Sequence, residues 1–252
     1  MTTLTQLRLL WWRKMLETLR NPIWVVMGLT TPLLYLVCFA PVLDSLAGAP
    51  GFRHGSVLDT FLPGILALMA FTAGTGAGWL VIAELQTGVV ERLQVTPVRR
   101  LPLVAGPVLR DIVTFLVPAG VVIGVSVPLD YHPDALGTVV LLGLLCLVVA
   151  TTSAWSAALG FTLRDIGGLA AVVTGLQLPL VLLSGILLPL SLAPGWLRAV
   201  AHADPLYYVV RAARDLSHGA VGNASVAVGC LVMVVLTAVT LTWAVRAYRT
   251  GP

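Results

Sequence analysis

Long uncharged stretches alternate with short polar ones along most of the chain. An apolar run of about 20 residues is long enough to cross the hydrocarbon core of a bilayer as a helix. Six such runs can be placed: Asn21 to Leu43, Thr60 to Ala83, Leu109 to Leu129, a run within Ala135 to Leu163, Gly167 to Pro189, and a run within Gly222 to Val245. Arg110-Asp111 sits at the edge of the third. Ile166 to Leu197 is too long for one simple span and is punctuated by Pro179, Pro189 and Pro194. The residues after Pro189 are therefore read as a separate outer segment. The pattern predicts an all-α integral membrane protein, a single domain over residues 1–252.

Two polar intervals carry helical periodicity of their own. Thr2 to Arg20 places Leu4, Leu7, Trp11, Met15 and Leu19 on one side of a helix and Arg13, Glu17 and Arg20 opposite, the pattern of a helix lying in the membrane interface. A cleaved signal peptide fits poorly, because Arg13-Lys14 interrupts the first apolar run and Pro41 follows the Cys-Phe-Ala triplet. The second interval is Glu84 to Pro102. At 100° per residue Glu84, Thr87, Glu91 and Gln94 share one face, while Leu85, Val89, Val90 and Leu93 gather on another. Thr96-Pro97 closes this short helix, since the residue before proline is pushed out of the helical region. Gly88 lies between the polar stripe and Arg92, and a glycine costs about 1 kcal/mol against alanine in a helix interior. It is therefore expected to mark a close backbone approach. Such a helix suits docking of a soluble partner; it equally suits a loop helix that only fixes two spans.

Charge orients the chain. It is 58% hydrophobic and 10% charged, against about a quarter charged in soluble domains. With six spans both termini fall on one side, which holds Arg8, Arg13, Lys14, Arg20, Arg92, Arg99, Arg100, Arg110, Arg164, Arg246 and Arg249. Only Arg53, Arg198, Arg211 and Arg214 fall on the other, so the termini are expected in the cytoplasm. The net charge of +4 is explained by these loops and implies no nucleic-acid partner. The Arg and Ala/Val/Gly bias suits a GC-rich bacterial genome. Cys38, Cys146 and Cys230 all lie in apolar runs and read as small hydrophobes, with no metal site or disulfide framework indicated.

Absences narrow the chemistry further. No ionisable residue lies in the middle of a proposed span, which argues against an ion-coupled carrier. The four histidines fall in outer loops, and no Ser-His or metal constellation can be built at membrane depth. No G-x-x-x-x-G-K-[ST] occurs, so this chain carries no P-loop ATPase site. Gly74 and Gly78 form a small-xxx-small pair in the second span, candidates for helix packing or a dimer contact. Flexibility, or filling beside a bulky neighbour, is the alternative. In the outer segment, two short amphipathic helices separated by Pro205 would satisfy their own backbone bonds while dipping into the outer leaflet. Trp196, Tyr207 and Tyr208 suit the headgroup belt, as an aromatic anchor if nothing more.

Taken together, Glu84-x-x-x-Gly88-x-x-Glu91-x-Leu93-x-x-Thr96-Pro97-Val98, then S-G-x-x-x-P from Ser184, then P-G-W-L and D-P-L-x-Y, resembles the membrane subunit of bacterial type-2 ABC exporters, in particular the drug-resistance permeases of the daunorubicin-exporter kind. Family members often have Asn where this chain has Asp204. The resemblance covers nearly the whole chain. It implies a permease that forms a homodimer, or pairs with a second permease, and binds two copies of a separate ATPase subunit carrying the ATP and magnesium; this chain would bind no cofactor. It implies that residues 84–97 are a cytoplasmic coupling helix, with Glu84, Thr87, Gly88, Glu91, Arg92, Thr96 and Pro97 at the ATPase contact. By the same token residues 190–218 would be a re-entrant outer hairpin, with Pro189, Trp196, Asp204, Pro205 and Tyr207 as candidates for the outer gate. The cargo would be a hydrophobic or amphipathic compound leaving across a bacterial cytoplasmic membrane. A polysaccharide or teichoic-acid-type exporter is the alternative within the family, disfavoured by only 7% aromatic residues; a membrane scaffold or an ion-coupled carrier lies outside it.

Overall fold

The computed structural model describes residues 3–20, 57–94, 100–129, 131–132, 134–186 and 194–249, with scattered residues between 23 and 38. In order the helices are α1 (Thr3–Leu19), α2 (Val57–Thr75), α3 (Ala77–Gln86), α4 (Val89–Gln94), α5 (Arg100–Ser126), α6 (Ala135–Leu163), α7 (Ile166–Leu183), α8 (Gly195–Ala201), α9 (Pro205–Ser217) and α10 (Ala224–Arg249). Among the described residues five stretches are long and apolar enough to span a membrane: Phe61–Gln86, Leu101–Leu129, Ala135–Leu163, Ile166–Leu183 and Ala224–Tyr248. The first expected span, 21–43, falls mostly outside the described residues.

The bundle is organised around α6. It packs against α2, α3, α5, α9 and α10, and its two halves do so differently. The first half contributes Leu141, Leu144, Leu145, Val148 and Val149, all almost fully buried. The second half is small: Ala150, Thr151, Thr152, Ser153, Ala154, Ser156, Ala157, Ala158 and Gly160 are buried there. Between helices in lipid, solvent aversion supplies no net attraction, so close packing and interhelical hydrogen bonds hold the bundle. Small residues bring backbones near enough for both. Thr151 and Thr237 hydroxyls meet at 2.8 Å across α6 and α10, while each also returns a bond to its own helix. By contrast α7 and α10 leave rows of Leu and Val exposed, among them Leu178, Leu182, Leu231 and Val235. Faces of this kind suit lipid contact.

Helix α1 lies along α5, and Gly106 lets it approach: a Cβ there would stand 3.2 Å from the Leu10 Cβ. Its orientation differs from the one the apolar stripe predicts. Met15 is buried, but so are Gln6, Lys14 and Thr18, while Leu9, Trp12, Leu16 and Leu19 are exposed. The helix has three faces, one packed on protein, one apolar and free, and one carrying Arg13 and Glu17. A two-sided reading merges the first two.

Candidate functional site

The polar interval after α3 does not continue as one helix. The Thr87 backbone N–H donates to Ala83 O at 3.1 Å, its hydroxyl to the same carbonyl at 2.9 Å, and the Gly88 N–H to Leu85 O at 3.2 Å. Gly88 has φ +69°, a left-handed conformation that glycine adopts at little cost and that ends helices. A new helix starts beyond it, with the Arg92 N–H donating to Gly88 O. Over its described residues, 84–94, the expected single coupling helix is therefore two pieces joined at a corner. The stripe linking Glu84 to Glu91 is broken, and Gly88 is there for the turn rather than for a close contact. Thr87 and Arg92 are exposed at this corner, and Val90 is buried on the ends of α3, α6 and α10 beside Ala77, Val81, Phe161 and Tyr248. Thr96 and Pro97 lie outside the described residues, as does the Glu91 side chain.

Glu84 faces inward. Its Oε1 accepts from the Lys14 Nζ at 2.6 Å, with the Arg13 Nη2 at 3.8 Å. Lys14 also reaches Glu17 at 2.8 Å, and Arg13 reaches Glu17 at 3.2 Å. Burial of Glu17 opposes ionisation, but Lys14 and Arg13 outweigh it and hold the carboxyl below its ordinary value. Lys14 is only 8% exposed. At 100° per residue it falls between Leu10 and Leu7 on the α1 wheel, 20° from Leu7 and at the edge of the apolar stripe rather than opposite it. That position is the signal the sequence holds for a buried lysine. A cavity of about 40 Å³ adjoins the pair, bordered by Lys14, Glu84, Val90, Ser153, Phe161 and Tyr248. It is polar at one end and has room for a water or two.

A second charged group lies further inside its helix than the apolar pattern places it. The third span starts at Leu101 rather than Leu109, because LPLVAGPV joins the helix as its first two turns. Asp111 then lies ten residues, about 15 Å, along it, rather than two residues from its edge. It is 2% exposed, ion-paired with Arg110, and accepts from the Ser153 hydroxyl of α6 at 2.6 Å. Prolines at 102 and 107 make the first turns look like loop. Pro102 lies in the first turn, where its missing N–H costs little.

Gly74 and Gly78 do mark close helix packing, and the partner is within the chain. A Cβ at Gly74 would stand 2.1 Å from the Thr152 Oγ1, and one at Gly78 would stand 2.5 Å from Ser156 O. The two glycines flank the break between α2 and α3. The Ser156 hydroxyl donates to Thr75 O there and accepts from the Gly78 N–H at 3.0 Å, satisfying backbone groups the break releases.

At the other end of α6 lie α8 and α9. Asp204 caps α9: its Oδ1 accepts from the Leu206 N–H at 2.9 Å, and Pro205 takes the first helical position, where no N–H is needed. Asp204 is 3% exposed, and no group among the described residues donates to its Oδ2. Burial pushes its carboxyl up to about 6, against the Leu206 bond. Tyr207 packs between His202 and Tyr208, at 5.0 and 5.3 Å between ring centroids. Trp196 is 69% exposed, a turn or more away on α8, and Pro189 lies outside the described residues. The segment is fastened by Arg214, which donates to Gly185 O at 2.6 Å and whose guanidinium is pushed down to about 10 by burial. Tyr131 approaches Ser217 at 3.4 Å.

Known proteins place this bundle in a class. The ABC-2 type transporter family matches residues 5–217, and the chain belongs to that family as a multi-pass membrane permease subunit. It is 27% identical over 252 residues to the daunorubicin resistance ABC transporter permease protein DrrB1 of Streptomyces coeruleorubidus, covering 98% of this chain and 86% of the relative. A chain of Cyanophora paradoxa with the provisional name transport permease ycf38 is 29% identical, over 81% of this chain and 71% of its own length. The "Probable doxorubicin resistance ABC transporter permease protein DrrC" of Mycobacterium tuberculosis is 26% identical, over 79% and 72%.

Proposed function

We propose that this chain is the membrane half of an ATP-driven exporter that moves a hydrophobic or amphipathic compound, such as a drug, antibiotic or lipid-like metabolite, out across a bacterial cytoplasmic membrane. The observation that carries the reading is near-full-length similarity to a permease named for daunorubicin resistance. A separate ATPase subunit binds ATP and magnesium and docks on the corner formed by the end of α3, Thr87-Gly88 and α4. Two permeases, identical or paired, enclose the route. The basic side chains crowd the end of the bundle that carries this corner, and basic loops stay in the cytoplasm. That puts α8 and α9 outside.

The test joins topology to coupling. A thiol reagent applied outside should label a cysteine placed at exposed His202 and spare one at exposed Arg92; the reverse labelling overturns the orientation. The tagged permease should co-purify with a P-loop ATPase encoded beside it. Vesicles holding both should accumulate daunorubicin on ATP addition with the proton gradient collapsed. Glu91→Ala should weaken ATPase capture, and Gln86→Ala, an uncharged change at the same corner, should weaken it less.

A further inference from the structure

We propose that Lys14 is a positioning residue for energy coupling, its ion pair with Glu84 tying α1 to the last turn of α3 so that α1 and the α3–α4 corner move as one piece. The proposal deepens the docking reading above and rests on it for its purpose. The pair joins elements 70 residues apart in sequence, and Glu84 stands three residues before the Thr87-Gly88 turn that starts α4. α1 otherwise packs along α5, so its link to α3 is made chiefly by charge. Lys14 bridges Glu84 and Glu17 at 2.6 and 2.8 Å, and Arg13 stands second to both, so the joint is a four-membered network with no net charge.

The cavity beside Lys14 and Glu84 leaves that joint without tight side-chain packing on one side. Cut the charges, and among the described residues little else holds α1 to α3. Lys14 is buried and Glu84 half-buried, so salt screens the pair less than it would an exposed one. A buried ion pair is no better for stability than well-packed apolar residues. Its distinct property is a directional, breakable link. Motion imposed on the corner by a docked ATPase would pass through Glu84 and Lys14 into α1, and from there along α5.

The experiment measures the link itself. Spin labels are placed at exposed Arg8 and Gln86 in a permease whose three cysteines are replaced by alanine. The α1–α3 distance is then measured by pulsed electron resonance, for the permease alone and with its ATPase in nucleotide-free and ATP-trapped states. The variant is Lys14→Met with Glu84→Gln, which leaves neither charge of the pair behind. The unsubstituted pair should give one narrow distance, unchanged by ATP. The double variant should at least double the width, and Lys14→Arg should keep it narrow. A narrow distribution for the double variant in the permease alone overturns the proposal, whether or not an ATPase binds. So does an ATP-induced shift when the pair is intact. Failure of the ATPase to co-purify with the unsubstituted permease refutes the docking reading instead.

Discussion

The two ends of α6 are built on different principles. Toward its last turns charged side chains meet partners on other helices, Lys14 with Glu84 and Asp111 with Ser153, next to the bonds that the Ser156 hydroxyl makes to the backbone of α2 and α3. At its first turns most fastenings run from side chain to backbone, beside the side-chain pairs Tyr131–Ser217 and Ser225–Asp215. Arg214 holds Gly185 O, Asp204 holds the Leu206 N–H, Asp134 caps α6 through the Gly137 N–H at 2.7 Å, and the Tyr208 hydroxyl donates to His202 O at 3.0 Å. A carbonyl or amide is fixed by the fold and holds a side chain in one place. Two side chains can part and meet again. One end thus relies more on charged side chains meeting across helices, and the other more on side chains fixed to backbone groups.

The sharpest way to break the contrast is at the Asp111–Ser153 contact. Asp111→Leu strands Arg110 in the bundle and should cost roughly 3–5 kcal/mol, seen as a large fall in the unfolding temperature of the detergent-solubilised chain. Ser153→Ala removes one hydrogen bond to the same carboxyl and should cost less, about 1.5–3 kcal/mol. Equal losses for the two would mean the ion pair with Arg110 contributes nothing.

Next in size are two glycines at one break. Gly78→Leu must displace the Ser156 backbone and should cost about 1–3 kcal/mol or more. Gly76, two residues earlier, has φ −65° with open space around its Cβ direction. Gly76→Ala should therefore stabilise by about 0.4–1 kcal/mol. Opposite signs in the same thermal assay test the packing directly.

The hairpin end is probed by pH. Asp204 has a folded pKa of about 6 against 3.8 for the free side chain, so the folded state holds the proton more tightly. Its contribution to stability is full below about 4 and is lost as pH rises through 6. Asp204→Asn keeps the cap without the titration, so stability from pH 4 to 7 should flatten and rise above that of the unsubstituted chain at pH 7. An unchanged slope would show that Asp204 is not the group responsible. Smallest of all is Tyr208→Phe, which loses one exposed bond and should shift unfolding by about 0.5 kcal/mol.

Much of the fold is legible in the chain. Apolar runs locate five stretches that are long helices in the structure, and the family resemblance rests on motifs at both ends. Local geometry and distant neighbours hide the rest. Pro102 and Pro107 disguise the first turns of α5, so Asp111 looks like an edge residue. Gly88 reads as a helical residue pressed against a partner, because periodicity counts positions without seeing that one φ has changed sign. Lys14 groups with Arg13 as interfacial charge, although its place on the wheel is apolar. The partners of Gly74 and Gly78 lie in α6, about 80 residues on, beyond any local pattern.

The short helix α3 has a mechanical consequence. It is interrupted before Ala77 and ends at Thr87-Gly88, so it is a rigid rod of ten residues with a joint at each end. Its length is about 15 Å, and a swing of roughly 10° about Gly76 would carry its far tip about 2.6 Å. That displacement matches the scale at which helices shift in switching proteins. The near joint is steadied by the Ser156 hydroxyl and the tip by Lys14. A rod held this way would turn about Gly76 as one piece, with every backbone bond along its length kept intact.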